Sequence, residues 1–456
     1  MMTREYDQVS AKAGINKFGD KVVLAMMKEY MQLDEGAFLG KLVIRPVNPD
    51  KMSREEHMQA LKSVNLIKKK RCGRIKGQTC ANGSRQRQFL KDGESVASPT
   101  VALESLISTL VIDAFKKRDV ATFDVPGAYL HAEMSKDKCI LIVRNDFVDI
   151  LCKACPKYKP YVKSVNGKKI LYIRVLRAIY GCIESALLWY TLFSNILKDM
   201  GFVINPYDRC IANKVIDGGQ CTIAWYVDDV KISHQDEKVV SDLINKIEAL
   251  FGDAKAVRGN KHLYLDMNIT IEDDKHISIK MKDQIQETLD AFPDDINSEV
   301  SSPAGRYLMQ VNEHGVKLSS NKADIYHSVV AKLLHMEKRA RPDIEPTVAF
   351  LCTRVQSPDE DDWKKLKHVL AYLKQIINDM RIIGCDNLHA VFTSVDAAYV
   401  VHPNMCSHTG GAMSMGWGVL HSKFSKQKLN TKSSMEAELV GVSEYMPHNM
   451  THEFYD

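Results

Sequence analysis

Two adjacent aspartates, Asp228 and Asp229, interrupt a run of apolar and strand-forming residues in the stretch AWYVDDVKIS. An ionised carboxylate that leaves water costs far more free energy than a strand supplies, unless a cation or hydrogen bonds compensate. Aspartate is also a favoured turn residue, so a hairpin tip is the alternative explanation for the pair. The stretch therefore predicts either an exposed turn or a site that binds a cation.

A third aspartate, Asp124, stands in a similar setting earlier in the chain. It ends the strand-like segment ATFD and is followed, after Val125, by the turn-prone tetrapeptide PGAY. Backbone N–H groups in such a turn can face an anion. If the two strands are neighbours in one sheet, Asp124 and Asp228 converge on one point. Divalent cations shared between carboxylates and substrate phosphates are typical of nucleotidyl transfer, which is the chemistry that these residues favour.

A basic segment precedes these aspartates. Its cationic residues lie among glycines and cysteines, and they are Lys68, Lys69, Lys70, Arg71, Arg74, Lys76, Arg85, Arg87 and Lys91. Such a cluster suits contact with phosphates, whereas a solvated charged loop is the explanation if the segment is taken alone. The net charge of +5 and the isoelectric point near 8.4 are mildly basic and do not identify a partner.

The segments around these residues alternate between helical and strand periodicity. Apolar residues at helical spacing predict helices at KVVLAMMKEYMQL and at 104–115, 185–202, 241–252, 329–336, 347–355 and 363–377. Alternating or β-branched runs predict strands at 139–144, 170–175, 262–271 and 276–281. With the strands that carry the aspartates, this order predicts an α+β fold.

Length and cysteine content limit the class of protein. The 456 residues, 45% hydrophobic and 26% charged, are enough for more than one domain. An odd number of cysteines, 11, and a start without an apolar signal stretch predict reduced thiols in an intracellular protein. The CxxC pair Cys152 and Cys155 has no matching second half, so a zinc site is not expected there. No apolar run approaches the roughly 20 residues that cross a bilayer, so no membrane partner is expected.

Three motifs, FDVPGAY, IYGCIESALLWY and WYVDDV, follow one another at characteristic separations. They resemble three successive palm motifs of a reverse transcriptase, specifically of the copia type of long-terminal-repeat retrotransposon. SPTV (Ser98 to Val101), the RPDI sequence that begins at Arg341, and WKKLKHVLAYLK resemble further segments of the same polyprotein. SVDAAY and SSMEAEL resemble the start of its ribonuclease H domain. The similarity extends from about Lys68 to about Tyr445.

The resemblance implies a right-hand polymerase with fingers, palm and thumb, followed by a connection and a truncated ribonuclease H-like domain. The implied domains are, in order, a helical N-terminal lead-in, fingers and palm, a thumb-like region with a primer-grip-like hairpin, a helical connection, and a partial ribonuclease H-like domain. Their boundaries are 1–64, 65–235, 236–302, 303–389 and 390–456. Accumulated Pro, Ser, Asp and Gly at 292–305 independently suggest a boundary there.

Residue by residue, the resemblance implies that Asp124, Asp228 and Asp229 are catalytic and that Asp124 and Asp228 are metal ligands. It implies two Mg²⁺ ions, with Mn²⁺ as the alternative metal. Four further residues would bind the nucleotide, two of them at the triphosphate, one at the sugar 2′-position and one in the pocket: Lys76, Arg74, Tyr129 and Gly181. Tyr129 also fits the role of a core aromatic.

The implied reaction is RNA-directed DNA synthesis, in which a primer 3′-hydroxyl attacks the α-phosphorus of a nucleotide. Its partners would be an RNA or DNA template with primer and deoxynucleoside triphosphates. In an intact element of this kind the location would be cytoplasmic, in a virus-like particle, or nuclear.

Several positions depart from the family pattern. Gln78 stands where the family commonly has an arginine, so Arg74 would have to substitute for it, and Glu184 stands in place of a glutamine. The primer-gripping FLG turn of the family is replaced by Leu265-Asp266-Met267. Asp396 and Glu436 match the first two ribonuclease H metal ligands, but the chain stops at Asp456, before the later aspartates of that domain. We therefore expect vestigial ligands and no ribonuclease H activity.

Two other functions remain open. A catalytically decayed retrotransposon remnant would keep the fold and a basic groove and would only bind nucleic acid. An unrelated soluble α/β protein would carry YVDD in a hairpin by chance. Magnesium-dependent nucleotide binding is the discriminating test, since the remnant can lack it and the unrelated protein should lack it.

Overall fold

The protein is represented by a computed structural model that describes residues 8–36, 40–69, 73–89, 95–134, 139–402 and 404–450. Its α-helices in these residues are α1 Ala11–Phe18, α2 Asp20–Glu35, α3 Arg54–Gln59, α4 Leu103–Phe115, α5 Asp146–Ala154, α6 Ser185–Asp199, α7 Glu237–Phe251, α8 Lys282–Asp290, α9 Ser320–Arg339, α10 Glu345–Arg354, α11 Glu360–Gln375 and α12 Ser434–Met450. In the described parts of the chain, no helix is both long enough and apolar enough to cross a membrane.

The strands form four sheets in the described residues. In chain order they are β1 Gln8–Ser10, β2 Ile44–Val47, β3 Leu61–Lys69, β4 Ile75–Ala81, β5 Asp119–Asp124, β6 Ile140–Arg144, β7 Lys163–Val165, β8 Lys168–Val175, β9 Val203–Ile204, β10 Ile211–Ile216, β11 Gly219–Tyr226, β12 Asp229–His234, β13 Val257–Arg258, β14 Lys261–Tyr264, β15 Met267–Ile271, β16 His276–Lys280, β17 Arg381–Cys385, β18 Phe392–Ala398, β19 His408–Ser414, β20 Gly416–Trp417 and β21 His421–Lys426. The mixture of mainly antiparallel sheets and segregated helices confirms the predicted α+β class.

The N-terminal sheet has the order β1-β3-β6-β8-β2, with β4 on β3 and β7 on β8. Strands β3 and β4 form an antiparallel hairpin whose register places Lys68 opposite Lys76. Helix α2 packs on β4, and its apolar positions recur at helical spacing, so they form one buried face: Val22, Met26, Tyr30 and Leu33. This confirms the predicted helix and shows that β1 and β2 bring the N-terminal segment into the same sheet.

The central sheet has the order β13-β5-β12-β11-β10-β9, and every strand pair in it is antiparallel. Helices α6 and α7 contribute an aromatic cluster, in which the ring of Trp189 lies 5.3 Å from those of Phe193 and Phe251. Helix α6 begins at the predicted residue and ends three residues before the predicted end. This sheet carries the three aspartates that the sequence singled out.

The third sheet has the order β14-β15-β16-β17-β20. Alternation predicted one strand over 262–271, which is wrong, because Leu265 and Asp266 turn the chain with φ angles of 48° and 67°. The Arg339 guanidinium donates to the carbonyl of Leu265 at 3.2 Å, and the Gln284 amide donates to the carbonyl of Asp266 at 2.8 Å. The turn thus lies where the family resemblance implied one, and it depends on contacts from α9 and α8.

Helices α9, α10 and α11 pack together after an irregular stretch, and the last unit is the three-stranded sheet β18-β19-β21 covered by α12. The C-terminal sheet contacts α10 through β21. Of the implied domain boundaries, the one after residue 64 falls inside β3. Those after 235, 302 and 389 fall between elements.

Candidate active site

The turn between β11 and β12 presents Asp228 and Asp229. It starts at Val227, whose φ of 57° is rare for a β-branched residue and therefore strained. Two hydrogen bonds stabilise this conformation. Trp189 Nε1 donates to the carbonyl of Val227 at 2.6 Å, and the N–H of Val125 donates to the carbonyl of Asp228 at 2.8 Å. The turn is therefore fastened both to α6 and to the end of β5.

Asp124 lies directly beside this turn. Strands β5 and β12 are neighbours, and their register places Asp124 opposite Asp229. Side chains directly opposite in an antiparallel pair have Cβ atoms about 5 Å apart. The carboxyl group of Asp124 is also hydrogen-bonded to that of Asp228. The structure thus brings together the three carboxyl groups that were predicted to be catalytic.

Burial perturbs the pKa of Asp228 and of Asp229, and neighbouring carboxylates add to the effect at Asp229. Burial raises the pKa of Asp228, while the hydrogen bond with Asp124 and the charge of Lys76 oppose the rise. Burial raises the pKa of Asp229 to about 7, and the charges of Asp228, Asp124 and Asp266 add to the effect. A concentrated negative charge of this kind is costly without a cation.

The residues fit a divalent cation that shares its ligands with a substrate. A cavity of about 450 Å³ opens beside Asp124 and Asp229. Within the described residues, no three His, Cys, Asp or Glu side chains are arranged to hold a metal ion by themselves. Mg²⁺ is usually bound by one or two carboxylates together with waters and substrate phosphates, so a complete protein cage is not required.

Tyr129 lies next to the carboxylates, in a short helical turn at Ala128–His131 that follows the left-handed Gly127. It is buried, and its ring centroid lies 4.8 Å from that of Tyr180. Burial and the nearby charge of Asp228 raise the pKa of Tyr129 to about 12, so the phenol stays neutral. The side chain is both a packed aromatic and a neighbour of the site.

Of the predicted triphosphate-binding residues, Lys76 lies on β4 of the N-terminal sheet and Arg74 immediately precedes that strand. Lys76 and Arg74 are exposed, and Lys76 is close enough to lower the pKa of Asp228. Gly181 has a φ of 88° and approaches the backbone of Ala81 at the end of β4. Of the basic segment, three residues fall outside the described part of the chain: Lys70, Arg71 and Lys91.

The sequence analysis assigned no role at the site to two charged residues that lie near the carboxylates. Lys255 lines the cavity beside Asp124, because β13 pairs Val257 with Thr122 and the preceding residues run alongside the end of β5. Asp266, in the turn between β14 and β15, acts on the pKa of Asp229. No sequence signal separated Lys255 from other surface lysines, whereas Asp266 was noted only as a departure from the family turn.

Four further residues were singled out in the sequence, two near the proposed polymerase site and two as ribonuclease H ligands. Gln78 lies on β4, and Glu184 immediately precedes α6. Asp396 lies on β18 opposite Gly410, and Glu436 lies in the first turn of α12. Both are exposed, and the Glu436 carboxylate accepts from the N–H of Lys432 at 2.5 Å. The predicted loss of ribonuclease H activity stays a prediction.

Comparisons with known proteins show which family the chain belongs to. Residues 54–303 match the family described as reverse transcriptase (RNA-dependent DNA polymerase). The chain is 24% identical over 378 residues to the retrovirus-related Pol polyprotein from transposon TNT 1-94 of Nicotiana tabacum, across 81% of this chain and 27% of that protein. It is 22% identical over 479 residues to the transposon Ty1-GR2 Gag-Pol polyprotein of Saccharomyces cerevisiae, across 99% of this chain and 25% of that protein.

The chain thus spans about a quarter of the length of these relatives. A solved structure of the foamy viral protease-reverse transcriptase in complex with double-stranded DNA aligns over 84% of this chain and 55% of that chain. The TM-score is 0.46 and the sequence identity is 10%, which is a distant likeness. The relatives confirm the resemblance to copia-type retrotransposon polyproteins. Because the family match covers more than half of its residues, the chain belongs to the reverse transcriptase (RNA-dependent DNA polymerase) family.

Proposed function

We propose that this chain is an RNA-directed DNA polymerase that adds deoxynucleotides to a primer 3′-hydroxyl. The observation that carries the proposal is the pairing of Asp229 with Asp124 across two strands, with Asp228 hydrogen-bonded to Asp124. Three neighbouring carboxyl groups, of which Asp228 and Asp229 are partly buried and Asp124 is exposed, lie beside an open cavity and suit divalent cations that arrive with substrate phosphates.

The chain's own residues would hold and orient the reactants. Asp124 and Asp228 are the proposed ligands of two Mg²⁺ ions, or of Mn²⁺. Such ions, when bound, lower the pKa of an attacking hydroxyl and offset the charge of a leaving pyrophosphate. Asp229, already the partner of Asp124 in the sheet, would keep the pair of ligands in place.

The nucleotide would lie between the N-terminal and central sheets. Lys76 and Arg74 supply exposed positive charge for the triphosphate, and the effect of Lys76 on Asp228 supports this placement. Tyr129 would close against the sugar 2′-position, because a buried ring packed against Tyr180 leaves little room for a 2′-hydroxyl. Gly181 permits the close approach of the pocket loop to β4. Lys255 adds a cation on the side of the cavity next to Asp124.

The domain names follow from this assignment. We infer fingers and palm at 65–235, with the central sheet as the palm, a thumb-like region at 236–302, a helical connection at 303–389 and a partial ribonuclease H-like domain at 390–456. A template–primer duplex would be bound mainly through phosphates and sugars, since template sequence must not matter. Binding should therefore weaken steeply with salt. We infer an intracellular location, cytoplasmic or nuclear.

Primer extension on an RNA template, with Mg²⁺ and deoxynucleotides, tests the proposal. The comparison is between the unaltered chain, Asp228→Asn and the matched control Asp217→Asn, which changes an exposed turn at the opposite end of β11. We expect Asp228→Asn to reduce the extension rate at least about a hundredfold, as loss of a central electrostatic group does. Asp217→Asn should extend at the unaltered rate.

Two results would contradict the proposal. Extension that is equal in the unaltered chain and in Asp228→Asn would place catalysis elsewhere. Absence of extension from the unaltered chain, together with a salt-sensitive shift of template–primer, would instead favour the decayed remnant that only binds nucleic acid.

A further inference from the structure

A second polar pair lies directly behind the carboxylates in the central sheet. The register of β12 and β5 places Lys231 opposite Thr122, one pair beyond Asp229 and Asp124 on the same face. The Lys231 side chain is 0% exposed and Thr122 is 5% exposed. At about 3.3 Å per residue, the two pairs are about 7 Å apart along the strands. A buried lysine therefore lies within a strand that carries the proposed catalytic turn.

Lys231 connects β12 to helix α4. Its ammonium forms an ion pair with Asp113, which is also fully buried. Asp113 accepts a second bond from Arg118 Nη1 at 3.3 Å, and the same Nη1 donates to Thr222 Oγ1 of β11 at 3.3 Å. The Thr222 hydroxyl in turn donates to Asn213 of β10 at 2.9 Å. One helix is thus joined by polar contacts to three consecutive strands of the central sheet.

Thr122 connects β5 to the third sheet. Its hydroxyl lies 3.0 Å from Nδ1 of His262 on β14, and Nε2 of His262 lies 2.8 Å from the carbonyl of Gly259. Because that carbonyl only accepts, the ring proton is assigned to Nε2 and the Thr122 hydroxyl donates to Nδ1. Each strand that bears a catalytic carboxyl group therefore has its own polar contact with a neighbouring element, Lys231 with Asp113 and Thr122 with His262. These two contacts are called tethers below.

Stability alone does not account for this arrangement. Lys231 and Arg118 share the single carboxylate of Asp113, so two basic side chains face one acid, and burial lowers the pKa of Lys231. Replacement of a buried ion pair by apolar residues of similar volume is often neutral or stabilising. If Lys231 were absent, Asp113 would still be paired with Arg118. The lysine is therefore dispensable for charge balance, and its location points to another role.

We propose that Lys231 and Thr122 form a positioning layer that fixes the two carboxylate-bearing strands against α4 and β14, and so sets the placement of Asp124, Asp228 and Asp229. Lys231 and Thr122 act through the strands and do not touch substrate. The catalytic consequence rests on the proposed polymerase function, whereas the mechanical consequence does not. Loss of a tether should leave the fold intact and increase the mobility of the turn between β11 and β12.

The test replaces Lys231 by methionine, which has a similar length and no charge. In Lys231→Met we expect faster backbone hydrogen exchange across residues 224–233 in the metal-free protein, with the midpoint of thermal unfolding unchanged or higher. The rate of nucleotide incorporation at saturating nucleotide should fall at least about tenfold, because small displacements of reacting groups cost that much. The loss should be larger with Mg²⁺, which demands near-ideal octahedral geometry, than with Mn²⁺.

Ser233→Ala is the matched control. Ser233 lies on the same strand and face, one pair further from the carboxylates, and is fully buried. Its hydroxyl has no hydrogen-bond partner among the described residues, so the substitution removes a buried polar group without removing a tether. Exchange and incorporation should match the unaltered chain in this variant, and template–primer affinity should be the same in all three proteins.

Different failures are distinguishable. A folded Lys231→Met that keeps the unaltered exchange and rate overturns the inference. If Lys231→Met does not fold, Thr122→Val removes the other tether, and unaltered exchange in that variant overturns the inference as well. If the unaltered chain itself extends no primer, the proposed function fails, and the hydrogen-exchange comparison alone decides whether the layer positions the turn.

Discussion

At the scale of single residues, Gly181 shows how backbone conformation restricts the proposed nucleotide pocket. Its φ of 88° favours glycine, and a Cβ at this position would collide with the carbonyl oxygen of Ala81. The preceding carbonyl, that of Tyr180, accepts from the N–H of Ala81 at 2.8 Å. The pocket loop and the end of β4 are therefore in backbone contact, and no side chain fits between them.

Gly181→Ala should consequently cost more free energy of unfolding than its backbone angle alone predicts. Gly167 is the matched control, because its φ is 73° and a Cβ there would meet nothing within 4 Å. We expect Gly167→Ala to cost about 1 kcal/mol, the usual penalty for alanine in a left-handed position. Gly181→Ala should cost at least ~2 kcal/mol because a clash is added. Urea unfolding measures both, and equal costs would contradict the close approach.

At the scale of secondary-structure elements, helix α9 carries an acid on its buried side. Glu337 is 2% exposed, and its Oε2 has no hydrogen-bond partner in the described residues. Burial raises the pKa of Glu337 to about 7, and the charge of Glu345 adds to the rise, although Lys338 opposes it. The folded protein therefore retains a proton at this residue that the unfolded chain releases near its ordinary, lower pKa.

This proton makes stability depend on pH. Since the folded state binds more protons than the unfolded state between about pH 4.5 and pH 7, Glu337 should lower stability progressively as the pH rises through that window. Glu337→Gln removes the effect. The free energy of unfolding of Glu337→Gln should equal that of the unaltered chain below pH 4. Above pH 7 it should exceed that of the unaltered chain by a constant amount, no more than about 3 kcal/mol. Urea unfolding midpoints of both proteins at several pH values test the prediction. A stability difference between them that does not change with pH would contradict it.

At the scale of the whole molecule, Glu345 joins the helical region to the C-terminal sheet. This residue begins α10 and is 2% exposed. Its carboxylate accepts from Lys338 Nζ of α9 at 2.5 Å, from Ser422 Oγ at 2.5 Å and from the N–H of Phe424 at 3.3 Å, the last two on β21. A buried acid that satisfies donors from two regions couples their stabilities.

Glu345→Ala should loosen the C-terminal sheet, because it removes the acceptor of the Ser422 and Phe424 donors on β21, whereas Lys338 keeps its ion pair with Glu337. We expect faster hydrogen exchange across residues 407–427 and a lower midpoint of thermal unfolding for that region. Glu360→Ala is the control, since it removes a half-exposed ion pair with Lys322, which contributes about 0.5 kcal/mol or less. Unchanged exchange in Glu345→Ala would show that other contacts bind the sheet.

Local patterns explain which elements could be predicted. Spacing predicts one apolar face for α7, and Leu243, Ile244, Ile247 and Phe251 are buried there, whereas Leu250, expected on the same face, is exposed. The hairpin of β14 and β15 was hidden from the same analysis, because Leu265 and Asp266 are neither glycine nor asparagine and still adopt left-handed angles. Donors from distant helices stabilise that turn, and no local window contains them.

The sequence by itself determined the α+β class, the family and the three carboxylates of the candidate site, because residue types, periodicity and motif order are local properties of the chain. Only the tertiary structure decided that Asp229, and not Asp228, lies opposite Asp124. It also placed Lys255 beside the cavity and buried Lys231 behind the carboxylates. These features depend on strand register and on packing between segments far apart in sequence, which a local pattern does not encode.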